Sequence, residues 1–185
     1  IQILPDAATG TLTLVPEFHR CAAGAVIRVT AAEGGSAVAT AEAPASNGVP
    51  VTLRIPRPVL WEPGRPRLYD LTLEVVRGSE ICDRVTSYAG LRTVATDGGR
   101  VLLNGKPAYL RLVLDQGFYP DGVWTAPNDA ALRRDIELAM AAGLNGARLH
   151  QKVFEERFHY WADTLGYLTW GESASWGCDV NSDLG

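Results

Sequence analysis

The chain has 185 residues, of which 46% are hydrophobic and 21% are charged. This balance is typical of a globular protein and excludes an intrinsically disordered chain. The 17 basic and 21 acidic residues give a net charge of −4, which argues against nucleic acid or an anionic membrane as a partner. No apolar stretch reaches the roughly 20 residues that a membrane-spanning helix needs.

The N-terminal sequence begins at Ile1 without a Met, a basic n-region or an apolar signal segment. We therefore interpret the chain as a section of a longer protein. The three cysteines Cys21, Cys82 and Cys178 are sparse and have no CxxC spacing, so no disulfide scaffold or metal site is expected. They favour a reducing compartment such as the cytoplasm, and no cofactor motif is present.

Residues 1–97 alternate polar and apolar side chains along short segments. A period of two is typical of β-strands with one buried and one solvated face. Ile1–Leu4 is a candidate strand, and six further segments follow the pattern: Thr11–Val15, Ala25–Ala31, Ala37–Glu42, Val51–Ile55, Tyr69–Val75 and Glu80–Tyr88. Turn-forming pairs such as Gly34-Gly35 separate them. The pattern predicts an antiparallel β-sandwich of the immunoglobulin type over residues 1–97.

Residues 98–185 have a different rhythm. A hairpin is predicted at Asn104-Gly105. The elements predicted after it are a strand over Tyr109–Leu114, a helix from Asn128 to Gly143, a strand over Asn145–Leu149, a helix over Phe154–Leu165 that ends at Gly166, and a strand over Tyr167–Trp170. This β-α-β-α-β order predicts parallel strands.

Three parallel strands are too few for a complete (β/α)8 barrel, which needs about 250 residues. Parallel strands need cover on both faces, which so short a segment does not supply. We therefore favour the beginning of a larger barrel over a self-contained α/β layer. For the chain as it stands, an uncovered edge with apolar faces also predicts either self-association, for example into a homo-oligomer, or poor order in the C-terminal third.

Several short motifs, in their order and spacing, resemble glycoside hydrolase family two. Those similar to its central immunoglobulin-like domain are Leu60-Trp61-Glu62-Pro63, Pro66–Leu71 and Gly90-Leu91-Arg92. Those similar to the start of its catalytic barrel are Leu103–Pro107, Leu110-Arg111, Asp135–Leu138, Gly143–Arg148, Trp161-Ala162-Asp163, Leu165-Gly166 and Gly171-Glu172. The resemblance implies barrel strands one to three in residues 98–185. It also implies a retaining glycosidase that hydrolyses β-linked sugars, as β-galactosidases, β-glucuronidases and β-mannosidases do.

The same resemblance implies where the catalytic acids lie. Retaining glycosidases use two carboxyl groups about 5 Å apart, and in this family they follow barrel strands four and seven, the first in an Asn-Glu pair. This chain contains no Asn-Glu pair and only three predicted barrel strands. No catalytic residue is therefore expected in this stretch, and the isolated chain is predicted to be inactive.

Barrel sites form at the carboxyl ends of the strands. The residues at these ends are Asp115, Gln116, Arg148, His150 and Glu172, and all five are candidates for substrate binding. The resemblance places Arg148 beneath the sugar and Glu172 near it, whereas the alternative is an ion pair that joins two strands. Asp115 and Gln116 bind sugar hydroxyls or are solvated. His150 is expected either to contact the substrate or to be a hydrogen-bonded histidine at a strand end.

Aromatic residues surround the expected mouth of the barrel. The C–H face of a sugar packs well on an aromatic ring, which makes Trp124 a sixth candidate for substrate binding. The alternative is local packing, and it applies equally to its neighbours Phe118, Tyr119, Trp170 and Trp176.

Two other functions remain open at this point. In one, the β-sandwich is a non-catalytic binding or spacer module and the α/β part docks onto it. In the other, the chain is an unrelated α/β enzyme whose acid and base are Asp115 and Glu172.

Overall fold

The computed structural model describes residues 1–21 and 23–175. The strands in this part of the chain are β1 (Gln2–Asp6), β2 (Thr11–Val15), β3 (Val26–Glu33), β4 (Ser36–Pro44), β5 (Val51–Arg54), β6 (Tyr69–Arg77), β7 (Glu80–Ala89), β8 (Val94–Asp97), β9 (Arg100–Leu103), β10 (Lys106–Pro107), β11 (Leu112–Asp115), β12 (Gly146–Leu149) and β13 (Leu168–Gly171). The helices are α1 (Asp129–Ala141) and α2 (Glu156–Leu165).

The chain forms two compact units. The first comprises Ile1–Glu62 and Arg67–Ala108, and the second comprises Pro63–Pro66 and the chain from Tyr109 onward. The change in composition near residue 97 therefore lies before the division between the units. The reason is the hairpin of β9 and β10 around Asn104: β9 also pairs with β8, and all three strands belong to the first unit.

Seven antiparallel strands of the first unit form two packed sheets. One sheet has the order β1-β2-β5 and the other β4-β3-β6-β7. Their inward residues are buried in one core that includes Leu12, Leu53, Val29 and Leu71. All seven predicted strands are present, and the alternation that predicted them is the alternation of burial along β2, β3, β5 and β6. The strand order, with the fourth strand beside the third, is that of an immunoglobulin-like sandwich.

A buried tyrosine connects β6 to the segment that precedes it. Tyr69 begins β6, is 2% exposed, and its hydroxyl oxygen accepts a hydrogen bond from the backbone N–H of Val59 at 2.9 Å. A tyrosine at this strand whose hydroxyl bonds to upstream backbone is a recurrent feature of immunoglobulin-like folds. The bond fixes the connection between β5 and β6 against the core.

The hairpin residue Asn104 links two segments of the first unit. Its side-chain amide donates to the backbone carbonyl of Trp61 at 3.0 Å, and its side-chain oxygen accepts from the N–H of Thr93 at 3.0 Å. Trp61 is buried, and the guanidinium of Arg92 lies 4.8 Å from its ring centroid. The predicted Asn-Gly turn is confirmed, and this second role of its asparagine accounts for the hairpin's place in the first unit.

The second unit is a parallel β-α-β-α-β layer. β12 pairs in parallel with β11 on one side and with β13 on the other. Leu132 and Ile136 of α1 and Phe158 of α2 pack on one face of this sheet, around Ala147 of β12. The predicted parallel strands and both helices are therefore present.

Both helices end where the sequence predicts. The side chain of Asn128 accepts a hydrogen bond from the N–H of Ala131 at 2.9 Å and begins α1. Gly143, with φ of 85°, follows α1, and Gly166, with φ of 78°, ends α2. Both glycines adopt the left-handed conformation that commonly ends helices.

Among the described residues, no helix is long and apolar enough to cross a membrane. Cys21 and Cys82 are exposed and unpaired, and Cys178 lies outside the described residues.

Replacing Tyr69 with Phe removes the only acceptor that the ring offers to Val59. We expect a loss of about 1 kcal/mol in the free energy of unfolding, the usual net value of one hydrogen bond, measured by urea denaturation. Tyr109→Phe is the control, since Tyr109 is 79% exposed. Equal stability of the two variants would contradict the role given to the Tyr69 hydroxyl.

Gly146 lets the three parallel strands approach closely. A Cβ at this position would lie 2.5 Å from the backbone oxygen of Leu168 and 2.7 Å from a methyl carbon of Leu112. Gly146→Ala is therefore expected to destabilise the second unit by about 1–3 kcal/mol, as overpacking does. Gly171→Ala is the matched control in the same sheet, because an added Cβ there meets nothing within 4 Å. Thermal unfolding of the two variants gives the comparison.

Candidate functional site

The face of the parallel sheet opposite the helices carries side chains in successive rows. Leu114, Arg148 and Trp170 are paired across the three strands and form one row. Because side chains alternate between faces along a strand, the next row on this face consists of Gln116 and His150 together with Glu172. Leu114 and Trp170 are 53% and 54% exposed, so this face is open in the described part of the chain.

Glu172 is the centre of the polar row, a name that covers Gln116, His150 and Glu172 together with the guanidinium of Arg148, which reaches Glu172 from the neighbouring row. Arg148 donates to it from Nε at 3.2 Å and from Nη2 at 3.1 Å, both to Oε2. The backbone N–H of Gln151 donates to Oε1 at 2.9 Å, and Gln151 has a φ of 55° that turns this N–H toward the carboxylate. The ion pair that the sequence offered as one of two roles for Arg148 and Glu172 is present.

The surroundings keep Glu172 ionised. Partial burial raises the pKa of its carboxyl group. The hydrogen bonds from Arg148 and Gln151, with the positive charge of Arg148, outweigh that effect and lower the pKa. Glu172 is therefore an acceptor of hydrogen bonds at neutral pH and is unsuited to act as a general acid.

His150 and Gln116 continue the row. The side-chain amide nitrogen of Gln116 lies 2.8 Å from Nδ1 of His150, and Nε2 of His150 lies 3.8 Å from Oε1 of Glu172. With the amide as donor to Nδ1, the neutral ring carries its proton on Nε2, on the side of the carboxylate. Four of the six candidate residues, Gln116, Arg148, His150 and Glu172, therefore lie in one network.

Asp115 does not belong to this network. It pairs with Leu149, whose side chain is in the core beneath the helices, and its carboxylate accepts from the N–H of Gly117 at 2.8 Å. Burial raises its pKa, and the negative charges of Asp135 and Glu155 add to this effect. Because side chains alternate between the faces of a strand, Asp115 and Glu172 lie on opposite faces of the sheet. The two therefore do not form an acid-base pair on the open face.

Trp124 lies in the loop between β11 and α1 and is 55% exposed. A residue that the sequence did not single out holds this loop: Lys152 donates to the backbone carbonyl of Trp124 at 2.8 Å. Its charge and its position just after a strand end were the available signals. Trp176, which the sequence also places near the expected mouth of the barrel, lies outside the described residues.

Within residues 1–21 and 23–175, no group of three or more His, Cys, Asp or Glu side chains is arranged to hold a metal ion. The polar row instead offers a carboxylate, a guanidinium, an imidazole and an amide at one edge of a sheet. Such a set suits the hydroxyl groups of a polar ligand, which need both donors and acceptors.

This combination of a β-sandwich with a parallel α/β unit is the architecture of known glycosidases. A solved β-glycosidase from Bacteroides vulgatus aligns with 93% of this chain and 23% of its own, at a TM-score of 0.78 and 23% identity. A solved β-glucuronidase from Bifidobacterium dentium aligns with 79% of this chain and 24% of its own, at a TM-score of 0.72 and 24% identity. At these identities the likeness shows the fold.

Sequence comparison gives the family. Residues 22–92 match the model of glycosyl hydrolases family 2. A β-galactosidase from Thermoanaerobacter pseudethanolicus is 30% identical over 126 residues, which are 67% of this chain and 17% of the relative. The resemblance to glycoside hydrolase family two is thereby confirmed, and the chain spans about a sixth of the length of this relative.

The ionised state of Glu172 predicts a dependence of stability on pH. Because its pKa in the folded chain is below the ordinary value of 4.5, the pairing with Arg148 stabilises the fold fully above that value. The stabilisation is lost as the pH falls through the lower folded pKa. The difference in thermal unfolding midpoint between the wild type and Glu172→Gln should therefore shrink between about pH 5 and pH 2.

Glu156→Gln is the control for this measurement, since Glu156 is an exposed carboxylate of the same unit. A difference between the wild type and Glu172→Gln that stays constant over this pH range would show that the charge of Glu172 is not what stabilises the sheet edge.

Proposed function

We propose that this chain is part of a retaining glycoside hydrolase that cleaves O-glycosidic bonds of β-linked sugars. Within residues 98–185, the part from β11 onward would contribute the first three β/α units of its (β/α)8 barrel, with a carbohydrate as substrate. The observation that carries the proposal is the polar row at the carboxyl edge of three parallel strands, on the face without helices. In a barrel that face is the interior, and its carboxyl edge is where active sites form.

The open face supports the barrel. Leu114 and Trp170 expose half of their surfaces on either side of Arg148, whereas both faces of parallel sheets are normally covered. Further strands of a closed barrel would bury these two side chains as interior filling. The arginine between them would then be largely desolvated, where its pairing with Glu172 gains strength.

Each residue of the polar row has a role in this proposal. Glu172, being ionised, accepts hydrogen bonds from sugar hydroxyls or from a protonated neighbour. Arg148 orients Glu172 and supplies a positive charge that lowers the pKa of a nearby nucleophilic carboxyl group. His150 and Gln116 donate to or accept from hydroxyls at the edge of the row.

The acid/base and the nucleophile are proposed to come from later barrel strands of the whole enzyme. A carboxyl group that is a general acid near neutral pH needs a raised pKa, and that of Glu172 is lowered. Asp115 has a raised pKa but faces the helices. The isolated chain is therefore proposed to be inactive.

The exposed, unpaired Cys21 and Cys82 are compatible with the cytoplasm, which we propose as its compartment.

The test is the hydrolysis of p-nitrophenyl β-D-galactopyranoside and p-nitrophenyl β-D-glucuronide by the whole protein from which the chain derives. We expect turnover by that protein and none by the 185-residue chain. Arg148→Met in the whole protein should lower kcat/KM by about 10- to 100-fold, the value of a lost hydrogen bond to a charged group.

Arg134→Met is the control, since Arg134 lies on the exposed surface of α1 with 65% of its side chain accessible. Two results would contradict the proposal: hydrolysis by the isolated chain that Glu172→Gln abolishes, or a whole protein that hydrolyses no β-glycoside.

A further inference from the structure

The loop between β11 and α1 presents two aromatic rings to solvent. Phe118 is 61% and Trp124 55% exposed, and their ring centroids lie 6.0 Å apart with an angle of 22° between the planes. The two rings are stacked on each other nearly in parallel, and both expose apolar surface to solvent. Adjacent exposed aromatic rings offer a face on which an apolar ligand surface can stack.

The backbone of this loop is closed on itself by hydrogen bonds. Tyr119 and Val123 exchange two of them, at 2.8 and 3.0 Å. The hydroxyl of Tyr119 donates to Asp135 of α1 at 2.7 Å. Position 122 has no room for a side chain, because a Cβ there would collide with the backbone oxygen of Thr125. The rings are thus held on a preorganised loop, which lowers the entropic cost of binding.

Lys152 fixes the base of the loop. Its ammonium group donates to the carbonyl of Trp124 at 2.8 Å and to that of Gly117 at 3.4 Å. It also lies 3.6 Å from a carboxylate oxygen of Glu155, with only 11% of the lysine side chain exposed. The loop sits closely on this lysine: a Cβ at Gly117, whose φ is 64°, would be 2.7 Å from the lysine nitrogen.

One dipeptide connects the loop to the polar row. The N–H of Gln151 binds Glu172, and the side chain of the next residue, Lys152, binds the carbonyl of Trp124. The aromatic surface and the carboxylate are therefore held from adjacent positions at the end of β12. Both contacts are made by residues that directly follow β12.

We propose that Phe118 and Trp124 form a stacking platform for a pyranose ring, and that Lys152 is the residue that positions it. A pyranose offers an apolar C–H face to aromatic rings and hydroxyls to polar groups. The exposed carboxylate of Asp121, between the two aromatic residues in the chain, is available to such hydroxyls. This inference rests on the proposed function and adds a second contact site for its carbohydrate substrate.

The test uses the 185-residue chain with lactose and cellobiose, two β-linked disaccharides, and NMR amide shifts as readout. We expect saturable shifts in residues of the β11–α1 loop. Phe118→Ala combined with Trp124→Ala should weaken the affinity at least about tenfold, which corresponds to the loss of stacking on the rings. Tyr109→Ala, which removes an exposed ring outside the loop, should bind as the wild type does.

Glycerol is the ligand control, because it has hydroxyls without a ring face and should give no saturable shift. Lys152→Met keeps both rings and should weaken disaccharide binding several-fold, whereas Lys106→Met should not. Absence of saturable shifts in the wild type, or equal binding by the doubly substituted chain, would overturn the platform. Unchanged binding by Lys152→Met would overturn the positioning role.

Failure of this inference and failure of the proposed function are distinguishable. In the whole protein, the double substitution should raise KM with little change in kcat. Hydrolysis with an unchanged KM removes the platform alone. Disaccharide binding at the loop without any hydrolysis by the whole protein removes the glycosidase proposal and leaves a carbohydrate-binding site.

Discussion

The carboxylate of Glu172 receives hydrogen bonds from the guanidinium of Arg148 and from the backbone N–H of Gln151. These contacts join the carboxyl ends of β12 and β13. Two hydrogen-bond donors and a neighbouring positive charge keep the group ionised although it is partly buried. His150 lies 3.8 Å from the same carboxylate and is hydrogen-bonded to Gln116, so the polar row runs from β13 to β11.

The two units of the chain use the period of two differently. In the sandwich, antiparallel strands bury one set of alternate residues between two sheets, and the other set faces water. In the parallel unit, one set packs under the helices and the other stands open in rows. That second set contains both apolar side chains such as Trp170 and the polar row around Glu172. The proposal of a barrel interior rests on the composition of this face.

The loop after β11 is held by specific side-chain contacts. Tyr119 is bonded to Asp135, and Lys152 carries a charge into the base of the loop, where two carbonyls and Glu155 surround it. A lysine so little exposed must have such partners, because an unpaired buried charge is costly. The consequence is that Phe118 and Trp124 stay at the surface, where their rings are available for stacking.

The sequence by itself determined the seven strands of the sandwich, the hairpin at Asn104, both helices with their ends at Asn128, Gly143 and Gly166, and the family resemblance. These features depend on local periodicity, capping and turn chemistry, which act over a few residues. Only the tertiary structure decided that Asp115 turns to the helices while Gln116 joins His150 and Glu172, because that choice depends on which face of β11 the helices cover. It also decided the roles of Gln151 and Lys152, since a left-handed backbone residue and a lysine beneath a loop leave no periodic signal in the chain.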